Sequence, residues 1–407
     1  MTRLRINRPL WLDGHPPSSG VRFPTLTRDL EVDVAVVGGG ITGAALAWRF
    51  ADTGIRVAVL DSARVGRGST AASTALLMHE PDEDFSALAR RYGHARARRI
   101  WQLSRAATRD FITTLERLGI SCDLAHRDSI YYALNEADAR ELRAEHRQRT
   151  NAGFGGRWLE GARLRRVLGG DAAGAIRTNG NAQVDPFKAC TGLMQAAAAS
   201  GARVFERSPV RRIRQSGDGV IVTTPKGSIQ AGQVLIATGY ATPDFKPLLA
   251  RFRMLNTYVA TTRRLTPAER RRVGLQAVMT WDTARPYHYA RWTPDHRLML
   301  GGHDRPAVPE RQRQRALDEG TRRVQEDFSR LYPALRGIAI DRRHEGLFAT
   351  TPDGLPYIGP HRRYPRHLFA LGYGGNGMTF GFLAARLLLD WYRGGRSADH
   401  QLFSFGR

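Results

Sequence analysis

Cysteine is nearly absent from these 407 residues, occurring only at Cys122 and Cys190. Two distant cysteines cannot build a disulfide framework or a metal-ligand set, and their scarcity suits a reducing compartment. A cytoplasmic protein without a metal centre is therefore expected. Lysine is confined to Lys188, Lys226 and Lys246, although basic residues total 62 against 38 acidic ones and the net charge is +24. Long apolar runs are missing as well. The most apolar window, residues 368–392, is interrupted by Asn376, Arg386, Asp390 and five glycines, which argues against a membrane span. The first thirty residues carry no apolar signal core, so no export signal is expected. Acid is missing between Phe85 and Arg109, where Arg90, Arg91, Arg96, Arg98, Arg99, Arg105 and Arg109 fall. In the same segment Leu88, Tyr92, Ile100, Leu103, Ala107 and Phe111 recur at helical spacing, so a helix with a solvated basic face is the favoured reading. Attraction of a polyanion is the alternative, but no helix-turn-helix, zinc finger or aromatic RNA-reading motif accompanies the arginines.

What the chain does contain is a strand-to-helix glycine turn. Residues 33–37, Asp-Val-Ala-Val-Val, read as a buried parallel strand, and residues 44–51 as a small-residue helix. Between them Gly38, Gly40 and Gly43 have the G-x-G-x-x-G spacing. The first glycine permits the tight turn, the second lets a pyrophosphate approach the backbone, and the third lets the helix sit close to the sheet. Bare amides and the helix dipole then face the phosphates. A second strand over residues 55–61 ends at Asp61, placed to accept from a ribose hydroxyl. Strand, glycines, helix, strand and terminal acid in one register point to a bound dinucleotide.

Further along, the small-residue run 66–77 carries the hydroxyls of Ser69, Thr70, Ser73 and Thr74. Helices are expected over 85–118, 135–150 and 160–168, with a short strand at 129–134. Val184-Asp-Pro-Phe187 opens an alanine-rich helix to residue 200. Strands at 202–206 and 210–214 and a hairpin at 220–229 lead to the apolar strand 233–238, which runs into Gly239 and returns the chain to the nucleotide sheet. Residues 254–262, 277–282, 287–292 and 297–302 alternate like an antiparallel sheet. A charged helix at 309–332 precedes the last strand, 368–371, the turn Gly372-Tyr-Gly-Gly-Asn-Gly377, and a helix over 378–391. A second glycine turn opening a second helix, more than 300 residues beyond the first, can aim another positive dipole at an anion. Two such turns favour FAD over NAD, because a reduced flavin carries negative charge at its pyrimidine side.

The chain resembles the D-amino-acid oxidase superfamily of FAD-dependent oxidoreductases over residues 31–392. The resemblance rests on residues 34–61, 68–77, 184–210 and 234–240, on Thr351-Pro-Asp-Gly-Leu-Pro-Tyr-Ile-Gly359, and on residues 372–380. It implies an α/β fold in which a Rossmann-type, glutathione-reductase-like FAD domain is interleaved with an antiparallel-sheet substrate domain. The FAD domain would take residues 31–80, 184–245 and 340–400, the substrate domain 81–183 and 246–339, and residues 1–30 would form an arm. FAD would meet Gly38, Gly40, Ile41, Thr42 and Gly43 at the first turn, and Asp61 and Ser62 at the ribose. Ser69, Thr70 and Thr74 would approach from the hydroxyl loop, and Val210 would reach the adenine through its backbone. Thr238 and Gly239 would complete that side, and Gly374, Gly375, Asn376, Gly377, Met378 and Thr379 the flavin side. The implied chemistry is oxidation of a C–N bond in an amine or amino acid by hydride transfer to flavin N5. The imine hydrolyses, and oxygen commonly reoxidises the flavin to give hydrogen peroxide.

Three departures from the family pattern shape the expectations. Some members hold the flavin through a cysteine at the position of Gly346, so FAD is expected to be non-covalent here. Met299 stands where some members carry the lysine that activates oxygen, which keeps a dehydrogenase with another electron acceptor open. The cations that grip the substrate carboxylate in family members align with Phe348, Ala75 and Thr379. An unpaired buried carboxylate costs several kcal/mol. The substrate is therefore an amine whose carboxylate, if any, is remote, or the cation has moved to Arg285 or Arg291. Tyr287 and Tyr289 share one face of their strand and His288 the other, with the tyrosines favoured as pocket wall. His303 could take a proton from an ammonium, as could His79, and Phe348 is pocket wall or core. Besides a small-molecule amine oxidase, the sequence leaves open an FAD enzyme acting on modified tRNA and a non-catalytic flavoprotein subunit.

Overall fold

The computed structural model describes residues 4–15 and 21–407; residues 1–3 and 16–20 of the expected arm lie outside the described residues. Two sheets carry the fold. The first runs in the order Tyr357–His361, Tyr364–Leu371, Ser228–Gly239, Leu30–Val37, Val57–Leu60, Arg203–Phe205. Its strands are parallel except for the edge strand Tyr357–His361. The hairpin Arg212–Ser216 and Gly219–Thr223 joins the first half of Ser228–Gly239. That central strand pairs Val234 with both Ala35 and His367, and so joins the two ends of the chain.

Alternation sorts this sheet's residues between two cores. Val34, Val36, Val57 and Val59 pack with Ala44, Ala47, Leu383 and Leu388. Those partners come from the helices Ile41–Ala51 and Gly377–Tyr392, which lie against each other. Ala35, Ala58 and Leu60 point the other way, toward Val220, Val222 and Phe369. Small residues on the first helix let it lie close to the sheet. The basic segment forms Phe85–Tyr92 and His94–Arg117, broken at Gly93, whose φ is +82°. Its seven arginines are exposed, while Leu88, Ile100, Leu103, Ala107 and Phe111 are buried. No described helix is long and apolar enough to cross a membrane.

The second sheet has ten strands. Arg5–Ile6 lies at one edge, followed by Ile340–Thr350, Arg253–Thr262, Leu298–Pro306, Tyr289–Trp292, Met279–Asp282, Ala125–Ala133, Gly174–Gln183 and Leu76–Leu77. Only the Met279–Asp282 pairing with Ala125–Ala133 is parallel. The helix Arg313–Leu331 covers one face, burying Val324 and Phe328 with Leu298, Leu300 and Ala260. Two placements differ from the sequence reading. Ile340–Thr350, grouped there with the cofactor domain, pairs along its whole length with Arg253–Thr262. The arm supplies an edge strand, with Arg5 opposite Gly346. In both cases cross-strand pairing, which composition does not report, decides the sheet.

Candidate active site and cofactor cleft

A cavity of about 1520 Å³ opens between the two sheets and reaches both glycine turns. At the first turn Gly38 has φ +111°, and a Cβ there would lie 2.5 Å from the Ala237 carbonyl oxygen. A Cβ on Gly43 would lie 1.8 Å from the Gly38 carbonyl oxygen, so only glycine lets helix and turn meet. Gly43 is thus a packing residue behind the cavity, whereas Gly38, Gly40, Ile41 and Thr42 line it. The helix start at Gly40 has no side-chain cap. Its Ile41 amide donates to Thr70 Oγ1 at 3.0 Å. Asp61 accepts from the Gly39 amide at 2.8 Å and the Ala63 amide at 2.7 Å, which fixes the carboxylate at the end of its strand. Burial raises its pKa, and those amides oppose the rise. Each oxygen keeps a lone pair for a ligand hydroxyl. Ser62, Ser69, Thr70, Thr74, Val210, Thr238 and Gly239 also line this end.

At the second turn Gly374 has φ +59°. The Gly375 amide donates to Asp82 Oδ2 at 2.6 Å, and Asn376 Nδ2 donates to the Glu80 carbonyl at 2.9 Å and to Asp82 Oδ1 at 3.2 Å. Asp82 therefore pins the loop ahead of the helix Gly377–Tyr392, whose start also lacks a side-chain cap. Gly374, Gly375, Asn376, Gly377 and Met378 line the cavity. Thr379 does not, because its hydroxyl is buried and donates to the Met78 carbonyl at 2.8 Å. The sequence reading passed over Asp82, although it lies in His79-Glu-Pro-Asp-Glu-Asp84, four acids in six residues directly after the hydroxyl loop.

The antiparallel sheet forms the opposite wall. Tyr287, Tyr289 and Phe348 face the cavity, as does Trp281. Tyr287 donates to Asp82 Oδ1 at 3.0 Å, and the Tyr289 hydroxyl shares a 2.9 Å hydrogen bond with Thr257. Burial raises the pKa of both phenols. Asp304, half-buried on Leu298–Pro306, also faces the cavity. Burial lifts its pKa to about 7, against the pull of the Thr257 hydroxyl, and burial lifts that of Asp82 to about 6 despite donation from Gly375 and Tyr287.

Other sequence candidates stand away from the cavity. Arg291 is fully buried behind the hydroxyl loop. Its Nη1 donates to the carbonyls of Thr74 at 2.9 Å, Ala75 at 3.0 Å and Val184 at 2.8 Å. It therefore braces that loop instead of offering a cation to a substrate. Arg285 is half exposed and reaches Asp84 and the Tyr131 hydroxyl. His303 lies on the helix side of its strand, 2.6 Å from Asp327 Oδ2. His288 points the same way, bonded to Asp282 at 2.8 Å and 3.4 Å from Asp327. His79 is buried outside the cavity lining. Neither cysteine lines the cavity, and Met299 is buried in a cluster with Trp11 and Phe187.

Two glycine cradles and two uncapped helix starts on one cleft fit a long anionic cofactor. Residues 33–391 match the family model described as FAD dependent oxidoreductase. The chain belongs to this family. It is an FAD-dependent oxidoreductase, and when bound the flavin supplies the redox chemistry. Gamma-glutamylputrescine oxidoreductase of Escherichia coli (strain K12) is 29% identical over 379 residues, covering 91% of this chain and 86% of that one. Glycine oxidase of Bacillus subtilis (strain 168) is 24% identical, covering 88% of this chain and 92% of the other. The crystal structure of glycine oxidase from Geobacillus kaustophilus superposes with a TM-score of 0.78 at 24% identity, over 92% of this chain and 98% of that one. That likeness establishes the shared fold.

Proposed function

We propose that this enzyme oxidises a C–N bond of an amine that carries no carboxylate beside the reacting carbon. The observation carrying this reading is the distribution of charge around the cavity. Among the described residues its basic lining consists of Arg5, Arg64 and Arg67. All three lie on the arm or the 61–68 loop and hold protein groups: the Arg67 carbonyl, Glu206 and the His15 carbonyl respectively. The wall of Trp281, Tyr287, Tyr289 and Phe348 carries an acid instead, Asp304, and a second acid, Asp82, lies behind it, accepting from the Tyr287 hydroxyl. A carboxylate pressed against that wall would lose its hydration without gaining a cation, at a cost of several kcal/mol. An ammonium or neutral amine meets aromatic faces and a carboxylate there. The name of the Escherichia coli relative contains an amine of this kind.

In this reading FAD, held by the residues of the two glycine turns, would supply the redox chemistry: it would take up the hydride of the C–N bond at N5, leaving an imine to hydrolyse, and would pass the electron pair to oxygen, which leaves as hydrogen peroxide. The chain's own part is to orient and to dry. Tyr287 and Asp82 tie the substrate wall to the Gly374–Asn376 turn. The aromatic side chains exclude water from the wall that the substrate meets. Gly346 offers no side chain for a covalent link, so the flavin is held by contacts alone. A dehydrogenase using a different acceptor is the second reading, favoured by the uncharged Met299 standing where the family resemblance places an oxygen-activating lysine. The deciding experiment is anaerobic mixing of the yellow protein with amines and amino acids. Amines without an α-carboxylate are expected to bleach the flavin faster than glycine or D-alanine, and the reverse order overturns the proposal. Readmitting air then separates the readings, because prompt return of colour with peroxide marks an oxidase.

A further inference from the structure

Asp304 is an anomaly in this protein. Basic side chains outnumber acidic ones 62 to 38, yet among the described residues this acid, facing the main cavity, pairs with no arginine or lysine. Its Oδ1 is buried and makes no hydrogen bond. The strand explains how this arises. Successive residues alternate faces. His303 and Arg305 point toward the covering helix, where His303 meets Asp327, and Arg305 donates to the Tyr258 hydroxyl at 2.6 Å and lies 3.5 Å from Glu319. Asp304, between them, points into the cavity. The pairing of its strand with Arg253–Thr262 is irregular between Asn256 and Tyr258, which places Thr257 beside it. The rings of Tyr287 and Tyr289, with centroids 6.0 Å apart, complete the surroundings. The charged groups that act on Asp304 are Asp82, another acid, and His288, held by Asp282 and Asp327.

We infer that Asp304, with the faces of Tyr287 and Tyr289, is the anchor for a second, non-reacting cationic nitrogen of the substrate, which makes diamines and their N-substituted relatives the preferred class. The inference rests on the amine-oxidation reading above. A carboxylate with an unused oxygen and flanking aromatic faces is a receptor for an alkylammonium ion. An ammonium supplies the hydrogen bonds that the protein withholds. A carboxylate-bearing tail would instead meet like charge from both Asp304 and Asp82.

The holoenzyme and its Asp304→Asn variant distinguish the outcomes. With 1,4-diaminobutane against 1-aminobutane as donors, the wild type is expected to favour the diamine in kcat/KM by about 10- to 100-fold, the size of one charge-assisted contact. In Asp304→Asn the preference should collapse to within about threefold through loss with the diamine, while the flavin spectrum stays near that of the wild type. Equal loss for both donors would show that Asp304 serves the reacting nitrogen and would overturn the inference. So would a wild type that does not discriminate between them. If neither amine reduces the flavin but α-amino acids do, the amine-oxidation reading itself fails. A binding measurement needs no turnover. Tetramethylammonium carries no titrating proton, so its inhibition constant against pH reports the protein. It should tighten as pH rises through about 7, where Asp304 ionises, and stay flat through that range in Asp304→Asn. Asp82 titrates at about 6; a profile centred there and unchanged in the variant would assign the cation to Asp82 and overturn the inference.

Discussion

The two ends of the cavity are built on opposite plans. The cofactor end is shaped by side chains that are not there. At Gly38 and Gly43 an added Cβ would strike a backbone oxygen, and the phosphate-facing groups are helix-terminal amides. The substrate wall is shaped by the side chains that are there: Trp281, Tyr289, Phe348 and Asp304 project from four strands of one sheet, and Tyr287 stands just ahead of one of them. Backbone sites of the first kind are demanding and general, since any dinucleotide offers the same phosphates. Side-chain sites of the second kind are tolerant of change and selective, since each substitution redraws the surface the substrate meets.

Substitutions at each end test this contrast. The largest effect is expected from Gly43→Val, whose Cβ would lie 1.8 Å from the Gly38 carbonyl oxygen. Overpacking against backbone should cost more than about 3 kcal/mol and displace the turn. The purified variant should be colourless and fail to take up added FAD, as read from its absorbance. A yellow variant of normal affinity would break the contrast at its strong end. Next comes Arg291→Met, behind the hydroxyl loop. Three carbonyls lose their donor, a loss of about 3 kcal/mol in thermal unfolding. Because Arg291 lies outside the cavity, the ranking of substrates should not change; a changed ranking would make it a substrate contact after all.

A smaller and opposite effect belongs to Asp304→Asn. The folded protein holds this carboxyl up at about 7 from an ordinary 3.8. The stability it contributes is thus present below the ordinary value and lost as pH rises through about 7. Asparagine has nothing to ionise. The variant should therefore gain about 1–2 kcal/mol over the wild type between about pH 4 and pH 8, measured by denaturant unfolding of the unliganded proteins. A parallel pH dependence in the two proteins would show that Asp304 is well solvated. The smallest effect is expected at the surface, where Arg99→Ala breaks a pair with Asp399 at 2.7 Å. Exposed pairs of this kind contribute no more than about 0.5 kcal/mol. A larger loss, or a salt-dependent affinity for tRNA removed by the same change, would give the basic helix a role beyond solvation.

The same contrast decides what could be read without coordinates. Gly38, Gly43 and Gly374 announce themselves, because glycine spacing between an apolar strand and a helix has few other uses. The parallel strands were visible as β-branched runs, and the helices as periodic apolar stripes. Gly174–Gln183 was not visible. Its sequence Gly-Ala-Ile-Arg-Thr-Asn-Gly-Asn-Ala-Gln has poor strand propensity, and pairing with Ala125–Ala133, Arg157–Leu159 and Leu76–Leu77 makes it a strand. The substrate wall was half legible. Alternation grouped Tyr287 with Tyr289 and set His288 apart, as the structure has them. Yet alternation cannot say which of His303 and Asp304 faces the cavity, since that depends on an irregular pairing with a strand some 45 residues earlier. Arg291 misled for the same reason. A buried cation looks like a carboxylate partner until its three carbonyls are seen.

The edge strand Arg5–Ile6 has a bearing on biogenesis. It pairs with Gly346 and Glu345, while Leu30–Val37 waits for Ser228–Gly239 and, beyond it, for Tyr364–Leu371. A ribosome delivers these partners in the wrong order for early closure. Arg5–Ile6 must stay unpaired until Gly346 has been made, and the first sheet stays open until Tyr364–Leu371 follows. The cleft that both glycine turns line is accordingly complete only once the stretch through Met378 has emerged.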